Sequence, residues 1–143
     1  MSKTKIVSTA ELLRGGEIPW PHGDAGYDVM QHICAIGANV IFEDDDVVAY
    51  EVDDDEREAK LVPGERRFTV APKKSIPTLL DVGIADAQIA AKLLFAVQQV
   101  AFKMNLHATG FEVRSNVLPP YQRRPHLSLE LRTGNPKKSR SVS

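Results

Sequence analysis

Three polar residues of types found in catalytic sites follow one another at every second position near the end of the chain. The stretch "RRPHLSLELRTG", residues 123–134, places His126, Ser128 and Glu130 between leucines. Side chains alternate between the two faces of a β-strand, so the leucines would enter a core while the polar side chains stand together on the opposite face. The spacing therefore predicts one strand that carries a polar row, which continues to Arg132.

A serine, a histidine and an acid suggest nucleophilic catalysis, but their spacing argues against it. Residues two apart along a strand are separated by about 6.6 Å and residues four apart by about 13 Å, whereas a nucleophile and its base lie within about 2.6–3.2 Å. A serine without an adjacent base is a poor nucleophile. Two interpretations stay open from the residues alone, a ligand-binding surface and the plain polar face of a sheet strand.

The elements that must position this row are typical of an α+β fold with an antiparallel sheet. Strands are predicted at "NVIFE" (39–43), "VVAYEV" (47–52), "RRFTVA" (66–71) and "TGFEVRSN" (109–116). Between the third and fourth, apolar residues at spacings of three or four trace one face of a long helix over about residues 84–106; they are Ile89, Leu93, Val97, Val100 and Met104. We predict a sheet of about five strands covered by this helix.

The first part of the chain is predicted to be less regular. In "STAELLRGG" Ser8 and Glu11 form a capping box, so a short N-terminal helix is expected there. Residues 17–38 are rich in proline and glycine and show no clean period. They are predicted to form a long ordered loop with a turn of helix near residues 27–34.

Composition and charge limit the class of protein. The 143 residues fit one domain, with 43% hydrophobic and 26% charged residues. A formal net charge of −1 gives no electrostatic case for nucleic-acid or anionic-membrane binding, so neither partner is expected. The lone Cys34 and an N-terminus without the apolar region of a signal peptide favour a cytoplasmic setting.

A loop segment contains residue types that ligate zinc. "PHGDAGYDVMQHIC" includes His22, Asp24, Asp28, His32 and Cys34. It has no Cys-x-x-Cys pair, and scattered histidines and aspartates in a loop are usually surface polar groups. We therefore predict no metal site and no resident cofactor.

The ordered set of motifs resembles a histidine-triad (HIT) domain over residues 16–134. The matching stretches occur in the family's order and near its spacing; they are "GEIPW", "VIFEDDDVVAYEV", "RFTVAPKKSIPTLLDV", "IAAKLLFAVQQVAFKMNL", "GFEVRSN" and "YQRRPHLSLELRTG". The resemblance implies a HIT-like sheet and helix, hydrolysis or transfer of nucleoside monophosphates, and a homodimer. The remaining residues, 1–15 and 135–143, are expected to form an N-terminal helix or arm and a disordered basic tail.

The positions that carry the family's chemistry are changed in this chain. His126 falls on the first histidine of the triad motif, Ser128 on the second, which attacks the α-phosphate in the family, and Glu130 on the third. A neutral imidazole attacks phosphorus without prior loss of a proton, so serine at that position removes the chemistry and keeps the shape. The family's ribose-binding aspartate aligns with Val52. The resemblance therefore implies a degenerate active site.

Other positions of the resemblance retain groups suited to an anion. Asn116 and Gln122 correspond to phosphate-loop residues of the family, and Arg123 can bind a phosphate or carboxylate by forked hydrogen bonds. The predicted ligand-binding residues are Asn116, Gln122, Arg123, His126 and Ser128.

Three hypotheses for function follow. The first is a protein that binds a nucleotide or another phosphorylated or anionic small molecule without nucleotidyl transfer. The second is an active hydrolase or transferase with altered chemistry, acting on a diadenosine polyphosphate or a nucleoside phosphoramidate. The third is a dimeric protein-interaction module. Incubation with such substrates distinguishes the first two, and a ligand-induced rise in melting temperature distinguishes the first from the third.

Overall fold

The fold is an antiparallel sheet with a helix on each face. A computed structural model describes residues 27–51 and 65–133. In chain order the elements are α1 (Val29–Ile36), β1 (Asn39–Glu43), β2 (Val47–Glu51), β3 (Arg67–Pro72), α2 (Ala87–Lys103), β4 (Glu112–Arg114) and β5 (Leu129–Arg132), with 3₁₀ turns at Leu79–Asp81, Ile84–Asp86 and Leu106–Ala108. The strands pair antiparallel in the order β1-β2-β3-β5-β4, so β5 lies between β3 and β4.

The long helix α2 covers one face of the sheet and forms the main core with it. Alternate residues of three strands point toward this helix; they are Val47 and Ala49 of β2, Phe68 and Val70 of β3, and Leu131 of β5. From the helix, Leu93, Ala96 and Val100 meet them. Burying a valine, leucine or phenylalanine side chain contributes about 1.5–3 kcal/mol to the free energy of unfolding. The predicted helix stripe is thus confirmed as core packing.

The short helix α1 packs on the opposite face and leaves part of it uncovered. The carboxylate of Asp28 accepts hydrogen bonds from the backbone N–H groups of Met30 and Gln31 and begins the helix. The helix ends at Gly37, whose φ of 67° is left-handed and favours glycine. Val29 and Ile33 of α1 pack on Val48, Tyr50 and Ala71 of the sheet. Among the described residues, the sheet beside this contact, toward β5 and β4, borders a cavity.

The predicted fold class, sheet and long helix are confirmed. The turn of helix expected near residues 27–34 is the helix α1, and β1 has the predicted bounds. The predicted N-terminal helix, the basic tail at 135–143 and Val52, which aligns with the family's ribose-binding aspartate, lie outside the described residues.

The last strand is shorter than predicted. β5 begins at Leu129 because the residues before it turn: His126 N–H donates to Arg124 O, and Leu127 N–H pairs with Ile76 O beyond the end of β3. The alternation nevertheless extends back through these residues, since Leu127 is buried in the α2 core.

Candidate functional site

A cavity of about 340 Å³ lies on the α1 face of the sheet, beside that helix. Residues of β3, β4 and β5 form its floor, α1 forms one wall, and the segment from Asn116 to His126 forms another. Cavities of this size are within the range of small-molecule sites. The open part of the sheet is therefore the candidate site.

The polar row predicted from the sequence lines this cavity. His126, Ser128, Glu130 and Arg132 all face it, while the intervening leucines pack toward α2. All five predicted ligand-binding residues line the same space; they are Asn116, Gln122, Arg123, His126 and Ser128. The structure thus brings the predicted site residues together around one cavity.

His126 is buried and is held by the end of β3. Its Nε2 lies 2.6 Å from the carbonyl oxygen of Pro72. Because a carbonyl oxygen only accepts, Nε2 carries the proton in this hydrogen bond. The ring of Tyr27 lies against the imidazole with 5.3 Å between ring centroids. The hydrogen bond from Nε2 therefore fixes His126 to the end of β3 in the cavity wall.

Ser128 has no adjacent base to activate it. Within the described residues its hydroxyl makes no hydrogen bond with a histidine or carboxylate, and the Nε2 of His126 is engaged with Pro72. Glu130 lies two residues further along the strand, where the strand rise separates the two by about 6.6 Å. This separation agrees with the sequence argument that the strand spacing opposes a nucleophile–base pair.

Gln122 organises the loop that carries Arg123. Its Nε2 donates to Pro77 O at 2.7 Å and to Arg124 O at 2.8 Å, and its Oε1 accepts from Leu118 N–H at 2.8 Å. The side chain is buried, and its amide is occupied by the backbone. Arg123 next to it is exposed at the cavity edge. The role of Gln122 as a direct ligand contact stays a prediction.

The cavity floor carries an arginine cluster that the sequence interpretation did not identify as a site. Arg67 of β3 is directly opposite Arg132 of β5, and Arg114 of β4 is opposite Glu130. Arg132 also forms an ion pair with Glu65 at 3.5 Å. The alternation of "RRFTVA" and "FEVRSN" places Arg67 and Arg114 on the polar face, but only the pairing of β3 and β4 with β5 brings them together.

Arg67 is the most buried of these cations, with 9% of its surface exposed. Burial lowers the pKa of its guanidinium; Glu130 opposes that effect, and the neighbouring positive charge of Arg132 adds to it. Arginine remains protonated at any physiological pH, so the positive charge stays. Within the described ranges, Arg67 Nε has no hydrogen-bond partner.

No metal centre is found in the described part of the chain. Residues 27–51 and 65–133 contain no group of three histidine, cysteine, aspartate or glutamate side chains arranged to hold an ion. His22 and Asp24 of the candidate zinc segment lie outside the described residues. Among the described helices, none is long and apolar enough to cross a membrane.

Several solved structures share this architecture. A HIT family hydrolase from Legionella pneumophila is 27% identical, with a TM-score of 0.58, and the match covers 71% of this chain and 84% of that one. A HIT family hydrolase from Clostridium thermocellum is 20% identical, with a TM-score of 0.62 and coverage of 76% and 91%. A histidine triad protein from Clostridium difficile is 23% identical, with a TM-score of 0.57 and coverage of 71% and 86%. No protein-family model and no curated protein matches the chain.

Proposed function

We propose that this chain, which has the fold of the histidine-triad superfamily, binds a nucleotide or another phosphorylated or anionic small molecule without transferring a nucleotidyl group. The observation that carries the proposal is the charge of the cavity lining, which among the described residues contains five arginines and one glutamate. Guanidinium groups bind phosphate and carboxylate through paired, charge-assisted hydrogen bonds. A concave surface with this excess of positive charge concentrates anions.

The absence of transfer chemistry is proposed from the residues on the polar row. Ser128 occupies the position of the nucleophilic histidine in the family pattern, and the one remaining histidine of the row, His126, donates from Nε2 to Pro72 O. A hydroxyl must lose its proton to become an effective nucleophile, and among the described residues Ser128 makes no hydrogen bond with a histidine or carboxylate. This favours binding without turnover over a hydrolase or transferase of altered chemistry.

Binding is tested by calorimetry with AMP and with inorganic pyrophosphate. Arg123→Ala should weaken the phosphate-containing ligand by about 1.5–3 kcal/mol, roughly 10- to 150-fold, if its guanidinium contacts a phosphate. The matched control is Arg66→Ala, because Arg66 is an exposed arginine that pairs with Glu51 and does not line the cavity. Failure of both probes, and of a wider nucleotide panel, would contradict the proposal and favour a protein-interaction module.

The chemical part of the proposal has a separate test. The wild-type protein is incubated with radiolabelled diadenosine polyphosphate or adenosine phosphoramidate, and the denatured chain is examined for covalent label. We expect no labelled chain and no release of AMP above the buffer rate. Label that remains on the wild-type protein would identify an active enzyme and refute the absence of transfer.

A further inference from the structure

Two arginines meet at the end of the cavity floor that is remote from the Arg123 loop. Arg67 and Arg132 are directly opposite each other on the paired strands β3 and β5, and both line the cavity. Like charges at directly opposite positions of paired strands repel each other. Glu130 and Glu65 lower the net charge nearby but leave two guanidinium groups side by side. The local fold is therefore less stable with these arginines than with neutral partners.

The hydrogen bonding of the same pair is incomplete. Within the part of the chain that the structure describes, neither Arg67 Nε nor Arg132 Nε has a hydrogen-bond partner, and both atoms are buried. Buried charged groups are normally paired, because burial removes them from water. Arg67 as a whole is 9% exposed and faces the cavity. Because the guanidinium borders the cavity, its incomplete pairing favours a further acceptor group supplied by a bound molecule.

This pair and the Arg123 loop lie toward opposite ends of β5. Arg123 precedes His126 on the loop, whereas Arg132 follows Ser128 by four residues, which corresponds to about 13 Å of extended strand. Ser128, Glu130 and Arg132 line the cavity along this length. The row therefore has cationic groups toward each end, and between them Glu130 faces Arg114, which offsets its charge.

We propose that the cavity contains two separate anion subsites, one at Arg123 and a second at Arg67 and Arg132, so that its ligand carries two anionic groups at some distance from each other. This inference rests on the proposed anion-binding function and narrows the ligand to a bis-anionic class, such as a molecule with two terminal phosphoryl groups or with one phosphoryl group and one carboxylate. A ligand with one phosphate fills only the Arg123 subsite.

The experiment uses a series of alkylene bisphosphonates of increasing length, from methylene to octamethylene, measured by calorimetry on the wild-type protein. Each is compared with the hydroxyalkylphosphonate of the same length, which has one anionic end. We expect one chain length at which the bisphosphonate binds at least about tenfold more tightly than its monophosphonate, because the second group binds at high effective concentration. Equal affinity of the two compounds at every length would overturn the second subsite.

Substitutions of single arginines test which residues form each of the two anion subsites. Arg67→Gln should remove the length preference and weaken monophosphonate binding much less than Arg123→Gln, which should weaken both compounds at least about tenfold. Arg66→Gln, which removes an exposed arginine outside the cavity, should change neither. An Arg67→Gln protein that keeps the length preference would overturn the assignment, and Arg132→Gln provides the same test if Arg67→Gln does not fold.

The stability of the ligand-free protein gives an independent readout. Removing a buried charge whose donor has no partner should raise the melting temperature of Arg67→Gln by about 2–4 °C, as is common where a site is kept for binding at the expense of stability. A lower melting temperature would show that Arg67 supports the fold, and would count against the subsite. If monophosphonates do not bind at all, the proposed function fails; if they bind but no bisphosphonate gains affinity, only the second subsite fails.

Discussion

At the scale of single residues, His126 joins the end of β3 to the segment that leads into β5. Its Nε2–H donates to Pro72 O, and its ring lies against Tyr27. The hydrogen bond is buried, so His126 contributes to the fold as well as to the cavity wall. This is a role that the motif spacing alone does not reveal, because Pro72 lies 54 residues earlier in the chain.

We predict that His126→Ala lowers the free energy of unfolding by about 2–4 kcal/mol, since it creates a cavity and leaves a buried carbonyl without its donor. Urea unfolding followed by circular dichroism measures the change. His107→Ala is the control, because His107 is exposed and its removal should cost less than about 0.5 kcal/mol. Equal effects of the two substitutions would show that the hydrogen bond to Pro72 contributes little.

A second residue-scale prediction concerns recovery of the family's chemistry. Ser128→His places an imidazole on the cavity face, but Glu130 repels an incoming phosphate by up to about 1 kcal/mol at 4 Å even at the dielectric constant of water. We expect little adenylate transfer from Ser128→His alone, and a weak but measurable transfer once Glu130→His is added. The assay is covalent labelling by a radioactive nucleotide substrate. A folded double variant with no label would mean that the cavity has diverged too far from nucleotide chemistry.

At the scale of elements, Asp86 connects a 3₁₀ turn to the start of α2. Its carboxylate accepts from the backbone N–H of Gly83 and from the ammonium group of Lys74. The hydrogen bond with Lys74 lowers the pKa of Asp86 below its ordinary value of 3.8, although burial acts in the opposite direction. The lowered pKa means that the ionised form stabilises the folded state above the unfolded pKa, and that this stabilisation is lost as the pH falls through the native pKa.

We therefore predict that Asp86→Asn lowers the free energy of unfolding by about 1–2 kcal/mol at neutral pH. The difference from wild type should shrink as the pH falls from about the ordinary value of 3.8 through the lower native pKa, where the folded carboxylate also becomes neutral. Urea unfolding at a series of pH values measures it, with the exposed Asp45→Asn as the control. A difference that stays constant with pH would show that the charge of Asp86 is unimportant.

The elements also show how far the sequence could predict the site. The alternation of Leu127, Leu129 and Leu131 predicted which face of the last strand is buried, because one-sided burial forces a period of two. The same rule placed the polar row on the cavity side. It could not predict that Arg67 meets Arg132, because their register depends on pairing between strands that are distant in the chain. Strand ends were missed for a similar reason, since the bond of Leu127 to Ile76 is also non-local.

At the scale of the whole molecule, the outer face of α2 is unusually apolar. Leu94, Phe95 and Phe102 are 64%, 54% and 62% exposed on a helix whose other face forms the core. Exposed apolar groups of this size on one side of a helix commonly mark a contact between proteins. We propose that this face is the dimer surface expected from the family resemblance, with a second copy of the chain as the partner.

The prediction is a two-fold homodimer at micromolar concentration in light scattering or sedimentation. Phe95→Lys combined with Phe102→Lys should give a monomer with an unchanged circular dichroism spectrum, because both side chains lie outside the core. Leu80→Lys, which changes an exposed apolar residue away from α2, should leave the dimer intact. A wild-type monomer would contradict the prediction and remove the dimeric interaction module from the possible functions.

The alternation of β5 has a consequence for evolution and for design. Its leucines specify where the strand packs, while the residues between them face only the cavity, so the two sets of positions can change independently. Substitutions at Ser128 and Glu130 are therefore expected to change the cavity while the fold is kept, unlike substitution of His126, whose Nε2 donates to Pro72 O. A library that varies Ser128, Glu130 and Arg114 while keeping the leucines should yield mostly folded members with different ligand preferences.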